Sequence, residues 1–225
     1  MESQEIIGSI NDIYERFAIP PWLQLHMLRA GAVSNIICDS LSRITVNARD
    51  VVASTLIHDL GNIIKSNLDT NAALMGSEAA RLDYWKSVKA ETIAKYGGDE
   101  HIATVEMAKS IGASPRVIRI IENIGVPKIE AVGASADFEQ KISSYSDLRV
   151  GPFGILSLRQ RFEDFRERYK GRAKTLTPER FEIVYGFAQQ LENEVLNKTS
   201  LKQEQINDRS IEPYILKYKQ KIKSI

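Results

Sequence analysis

The stretch VVASTLIHDLGN, residues 51–62, decides the fold. Asn47 upstream offers a helix N-cap and Gly61 a stop, so the run between them reads as a helix whose last turn carries the doublet His58-Asp59. Residues 51–57 are apolar or small, which sets that doublet against a core. A carboxylate beside an imidazole there gives up hydration that something must replace. Two arrangements do so: a bound metal, or a hydrogen-bonded structural pair.

Helix signals recur on both sides of this stretch, whereas alternating strand patterns bounded by Asn-Gly or Asp-Gly turns are hard to find, so the predicted class is all-α. Residues 3–17 read as a first helix that stops before Pro20-Pro21, because a proline pair cannot continue the hydrogen-bond ladder. A second helix runs from there to about Arg43, and on it Trp22, His26, Arg29, Val33 and Ile36 recur at spacings of four and three. His26 and Arg29 therefore share a face. Asp99 is placed to cap the helix of His101, with Gly112 closing it, and Ser114-Pro115 opens the next. Asp147 follows the apolar positions Phe138, Ile142 and Tyr145 and should be helical too. Ser157 and Gln160 form a capping box for the helix SLRQRFEDFRERY, and Thr177-Pro178 opens a long helix reaching about Asn197. Residues 197–208 read as a linker or a helical extension, and beyond Pro213 the residues Ile215, Tyr218, Ile222 and Ile225 return at helical spacing. The expected organisation is a helical domain over residues 1–197 and a basic amphipathic tail over 198–225.

With 225 residues and 43% hydrophobic content, the chain can bury a core as one domain. Lys+Arg is 30 and Asp+Glu 29, a formal net charge of +1, too balanced for a surface built around nucleic acid or anionic lipid. Basic character is local: from Leu196 onward seven Lys/Arg face three Asp/Glu, a local +4 that leaves −3 for the rest. The single Cys38 excludes a disulfide framework and a cysteine-built zinc site, and reads as a small buried hydrophobe. Acidic residues follow Met1 closely and no run nears a membrane span, so a cytoplasmic protein without membrane insertion is expected.

Only three histidines are present, His26, His58 and His101, each on a separate predicted helix, and Asp147 lies on a fourth. Together they offer an all-N/O donor set of the kind that borderline divalent metals accept. At these positions the chain resembles the HD-domain metal-dependent phosphohydrolases. IPPWLQLHMLRAGAVSNII is similar to that family's first-histidine helix, VVASTLIHDLGN to the segment that names it, DEHIATVEMAKSIGA to its third-histidine segment, and YSDLRV with the arginine-rich helix behind it to the segment of the last aspartate. The four occur in the family's order across residues 10–169. The resemblance implies an HD-like multi-helix bundle in which His26, His58, Asp59 and Asp147 hold one divalent ion (Mn, Fe, Co, Ni, Zn or Mg). Asp59 and His101 would then be the catalytic residues, with His101 facing the same cavity as a ligand to a second metal or a contact to the substrate phosphate.

The implied reaction is cleavage of a small phosphate ester, of the nucleotide type among others, by metal-activated water. Arg29, Lys65 and Arg149 are the cations nearest the ligands in sequence and the candidates for the substrate phosphate, against the plain alternative of surface cations. The chain departs from the family at two places. Asn62 stands three positions after Asp59, where many members carry a catalytic Glu, and an amide cannot act as a general base. The stretch VIRIIENIG lacks the further histidine of two-metal members. Both departures keep a second function in view: a non-catalytic HD-fold module binding a nucleotide or a protein partner. In the run Arg159, Arg161, Arg166, Arg168, Lys170, Arg172 and Lys174, acidic residues interrupt the positive field, which favours a solvated helix face over a nucleic-acid surface. The tail lysines 217, 219, 221 and 223 suggest packing on the body or on another subunit, and leave a homo-oligomer open.

Overall fold

A computed structural model of the chain describes residues 1–42, 44–69, 72–169 and 177–220. The protein is all-α: α1 (Ser3–Gly8), α2 (Ile10–Arg16), α3 (Pro21–Asp39), α4 (Ala48–Ile57), α5 (Ala72–Met75), α6 (Leu82–Tyr96), α7 (Glu100–Ser110), α8 (Pro115–Ile121), α9 (Ile129–Ala134), α10 (Phe138–Leu148), α11 (Leu158–Tyr169), α12 (Pro178–Leu196) and α13 (Asp208–Gln220). Among the described residues there is no strand, only two isolated bridges, Leu41 with Thr199 and Val150 with Ile155.

Side-chain caps fix the helix starts. Asn47 accepts from the Asp50 amide, Asp99 from the His101 and Ile102 amides, Ser114 from Val117 and Thr177 from Arg180. At α11 the box is reciprocal: Ser157 Oγ accepts from the Gln160 amide at 3.2 Å, and Gln160 Oε1 accepts from the Ser157 amide at 3.0 Å.

Several boundaries differ from the sequence reading. The helix expected over residues 3–17 is broken at Ser9, whose ψ of 16° caps α1 and starts α2, because the Gly8-Ser9 pair is a weak place for a helix. The next ends at Asp39 rather than near Arg43, which lies outside the described residues. Backbone groups of residues 40–42 pair instead with residues 198–200, through Ser42 N to Lys198 O at 2.9 Å and Ser200 N to Ser40 O at 3.0 Å. The segment 197–208 is accordingly no helical extension. The last helix begins before Pro213 and includes it. Lys170, Arg172, Lys174, Lys221, Ile222, Lys223 and Ile225 lie outside the described residues.

Every residue of α4 from Val51 to Ile57 is buried, and a helix apolar all round belongs at the centre of a fold. It packs against α1, α3, α8 and α10. Small residues let the neighbours come close. A Cβ on Gly31 of α3 would lie 2.6 Å from Leu56, Ser34 meets Thr55 at 2.9 Å, and Ser54 meets Ser143 of α10 at 3.4 Å. These contacts draw α3, α4 and α10 together.

Residues 206–220 join the same core rather than standing apart as a tail. Ile206, Ile211 and Tyr218 are buried in it, and α13 lies along α3. The Tyr218 hydroxyl sits 3.1 Å from Gly31 O and 3.0 Å from Asn35 Oδ1, either of which can accept its proton. Replacing Tyr218 by Phe keeps the ring and removes this bond, so thermal unfolding should report a loss of about 1 kcal/mol. No loss would mean that α13 is held by its apolar contacts alone. No described helix is long and apolar enough to cross a membrane.

Candidate metal centre

A helix C-terminus leaves its last carbonyls without intrahelical donors. At the end of α4 two side chains meet them: Tyr14 OH donates to Leu56 O at 2.7 Å, and His58 Nδ1 pairs with Thr55 O at 2.8 Å. The second bond fixes the ring of His58, the C-cap residue, and turns its Nε2 toward α3 and α10. His58 thus caps α4 rather than sitting within its last turn, and Asp59 opens the turn that follows.

The second turn of α3 and the C-terminal end of α10 converge on His58 Nε2. His26 Nε2 from α3 lies 3.3 Å away, and Asp147 Oδ1 from the last turn of α10 stands 3.2 Å from His58 Nε2 and 3.1 Å from His26 Nε2. The donor atoms of His26, His58 and Asp147 all lie within 4.8 Å of one another. Asp59 Oδ2 approaches the same two nitrogens at 3.4 and 3.6 Å, outside that tight set.

Two imidazole nitrogens pointing at each other with two carboxylates around them form a cluster rich in acceptors and poor in protons. The electrostatics express this. Burial pulls the His58 pKa down, yet Asp59 and Asp147 outweigh it, aided by the bonds to Asp147 and Thr55, and raise it to about 9. Burial likewise works against the Asp147 carboxylate, but His58 and His26 hold it well below its ordinary value. Such a site favours a cation. The donor set fits a borderline divalent ion, with His58 oriented through its second ring nitrogen as metal-bound histidines are.

The pH dependence follows from these shifts. In the metal-free protein, the stability from charged His58 is complete below the unfolded value of about 6.5 and is lost as pH rises through about 9. The contribution of Asp147 is present above about 3.9 and is lost as pH falls through its lowered native value. A metal must displace the His58 proton, so its affinity should rise roughly tenfold per pH unit toward about 9. Titration calorimetry in buffers of different ionisation enthalpy reads the released proton; an affinity flat from neutral pH to 9 would contradict the shift.

The other expected site residues are less concentrated. His101 lies in the first turn of α7, half-buried and outside the tight set. Its helix nonetheless abuts the doublet's turn, since the Gly61 amide donates to Thr104 Oγ1 at 2.9 Å. Asn62 is buried in the same turn, its amide donating to Asp59 O at 3.0 Å. Lys65 Nζ lies 3.8 Å from Glu100 Oε1. Arg29 donates to Phe153 O at 3.0 Å and stands 3.8 Å from Asp208.

Arg149 faces away from the role expected of it. Two residues from Asp147 is about 200° around a helix, and its buried fork donates to Leu156 O at 2.6 Å, Tyr145 OH at 2.7 Å and Ile206 O at 3.1 Å. These bonds tie α10 to the C-terminal segment. The sequence places Arg161 of α11 on a solvated face, yet it is 7% exposed. It falls among Leu158, Phe162 and Phe165, whose helical spacing was the available signal.

Comparison of the chain with family models, with curated proteins and with solved structures finds no match.

Proposed function

We propose that the chain is a metal-dependent phosphohydrolase of the HD type, acting on a small phosphate ester, with nucleotides as the first class to try. The observation that carries this reading is the convergence of His26, His58 and Asp147 donor atoms within 4.8 Å, on a buried imidazole whose other nitrogen is already bonded. His26, His58 and Asp147, with Asp59 beside them, would hold the ion, and a divalent cation there supplies Lewis acidity toward a phosphoryl oxygen.

The chain's own residues do the positioning. Thr55 O keeps His58 Nδ1 occupied, so Nε2 is the nitrogen presented to the site. The carboxylates of Asp59 and Asp147 balance positive charge there. Gly61 seats the turn after Asp59 against α7 and so brings the helix of His101 alongside. Asn62 holds no titratable proton, which leaves proton transfer to another group.

The test is phosphate release from a panel of nucleotide esters and anhydrides by metal-loaded protein. Release from at least one of them that vanishes in Asp59→Ala is the expected result. Tight ligand binding without turnover would instead support a binding module, the alternative favoured by an amide at the buried position 62.

A further inference from the structure

A divalent ion held by Asp59 and Asp147 leaves little positive charge for a phosphoryl group, so a phosphate ligand needs a protein cation beside the ion. The three cations nearest the ligands in sequence are engaged elsewhere. Arg29 donates to Phe153 O, Lys65 lies 3.8 Å from Glu100, and Arg149 serves Leu156, Tyr145 and Ile206.

Arg161 is placed differently. Its guanidinium lies over the Phe165 ring, 4.0 Å from the centroid, and Nη1 donates to Asp164 at 2.9 Å. Those two contacts fix the plane and leave one edge, Nε with Nη2, that bonds no acceptor among the described residues. Nε is fully buried. A buried donor without an acceptor costs free energy, and in a native fold it calls for a partner such as a ligand or an ordered water. The Leu156 amide donates to Arg149 O at 2.8 Å, which fastens the start of α11 beside the end of α10 that carries Asp147, and Asp147 is the charged group that acts most strongly on Arg161. Arg161 therefore lies in the neighbourhood of the metal cluster. Nε and Nη2 form the side-on fork that pairs with two oxygens of a phosphate or carboxylate.

We infer that Arg161, resting on the metal-centre reading above, is the anion-binding residue of the site, its Nε–Nη2 edge receiving two oxygens of the ligand's phosphoryl group. Asp164 and Phe165 hold the guanidinium for that purpose. Inorganic phosphate is the simplest ligand of this chemistry.

Zinc-loaded full-length protein, titrated with inorganic phosphate by calorimetry, tests the assignment. Arg161→Gln should weaken phosphate binding roughly tenfold to a hundredfold, the worth of a charge-assisted bond, while bound zinc stays at the wild-type level. Arg161→Lys keeps a cation for Asp164 but lacks the fork, and it too should weaken phosphate about tenfold. The wild-type chain gives a check independent of folding in the variants: one arginine Nε–H resonance should shift as phosphate is added. Phosphate affinity unchanged in either zinc-loaded variant, or no moving resonance in wild type, overturns the assignment. A wild-type chain that takes up no zinc fails earlier and refutes the metal centre itself.

Discussion

Asp147→Ala should cost the protein its stoichiometric metal, with affinity falling more than about a hundredfold, beyond the usual effect of losing a supporting residue. Asp147 Oδ1 is the one carboxylate oxygen in the tight set, within 3.2 Å of both imidazole nitrogens. In the metal-free fold its loss is milder, about 1–3 kcal/mol, because His58 can shed its proton instead of remaining an unpaired buried charge. The same variant should bring the His58 pKa down from about 9, since Asp147 is one of the two carboxylates that raise it. Titration of the His58 ring by NMR, with metal affinity measured alongside, checks both. An unchanged affinity would mean that Asp59 and the imidazoles suffice.

Gly61→Ala should be the most damaging single methyl addition around the site. A Cβ there would lie 2.4 Å from Glu100 O, with Ala103 Cβ and Thr104 N both at 2.9 Å, and two of these three are backbone atoms that cannot turn aside. Relief requires α7 to move off the turn, breaking the bond from the Gly61 amide to Thr104. Overpacking of this kind costs about 3 kcal/mol. For a chain of this size that lowers the unfolding midpoint by roughly 6–12 °C. Metal affinity should change little by comparison, because the tight donor set of His26, His58 and Asp147 sits on α3, at the cap of α4 and on α10, with only Asp59 on the strained turn. An unaltered midpoint would show that the turn and α7 separate without cost.

The two variants divide what the sequence could and could not disclose. The helices were legible because their punctuation is local: Asn47, Asp99, Ser114, Ser157 and Thr177 each cap where the pattern placed them. The break at Ser9 and the early end of α3 were less legible. The first balances weak helix formers, and the second depends on pairing with residues 198–200, more than 150 positions away.

Nor does spacing along the chain say which way a side chain points once helices cross. Of the expected ligands, His26, His58 and Asp147 meet, because small residues draw α3 and α10 against α4, whose C-cap is His58. Arg149 is near Asp147 in sequence, yet it lies on the other side of α10. Arg161 was hidden in the reverse sense. Its basic neighbours suggested a wet surface, while the apolar stripe of Leu158, Phe162 and Phe165 had already placed it inward.

Elemental analysis of the purified chain after reloading with divalent metal bears most directly on the central claim, that His26, His58 and Asp147 form a cation site. About one ion per chain in the wild type, and almost none in a folded His58→Ala variant, is the predicted result. A folded wild-type chain that carries no ion, or a His58→Ala chain that carries as much as the wild type, would contradict it.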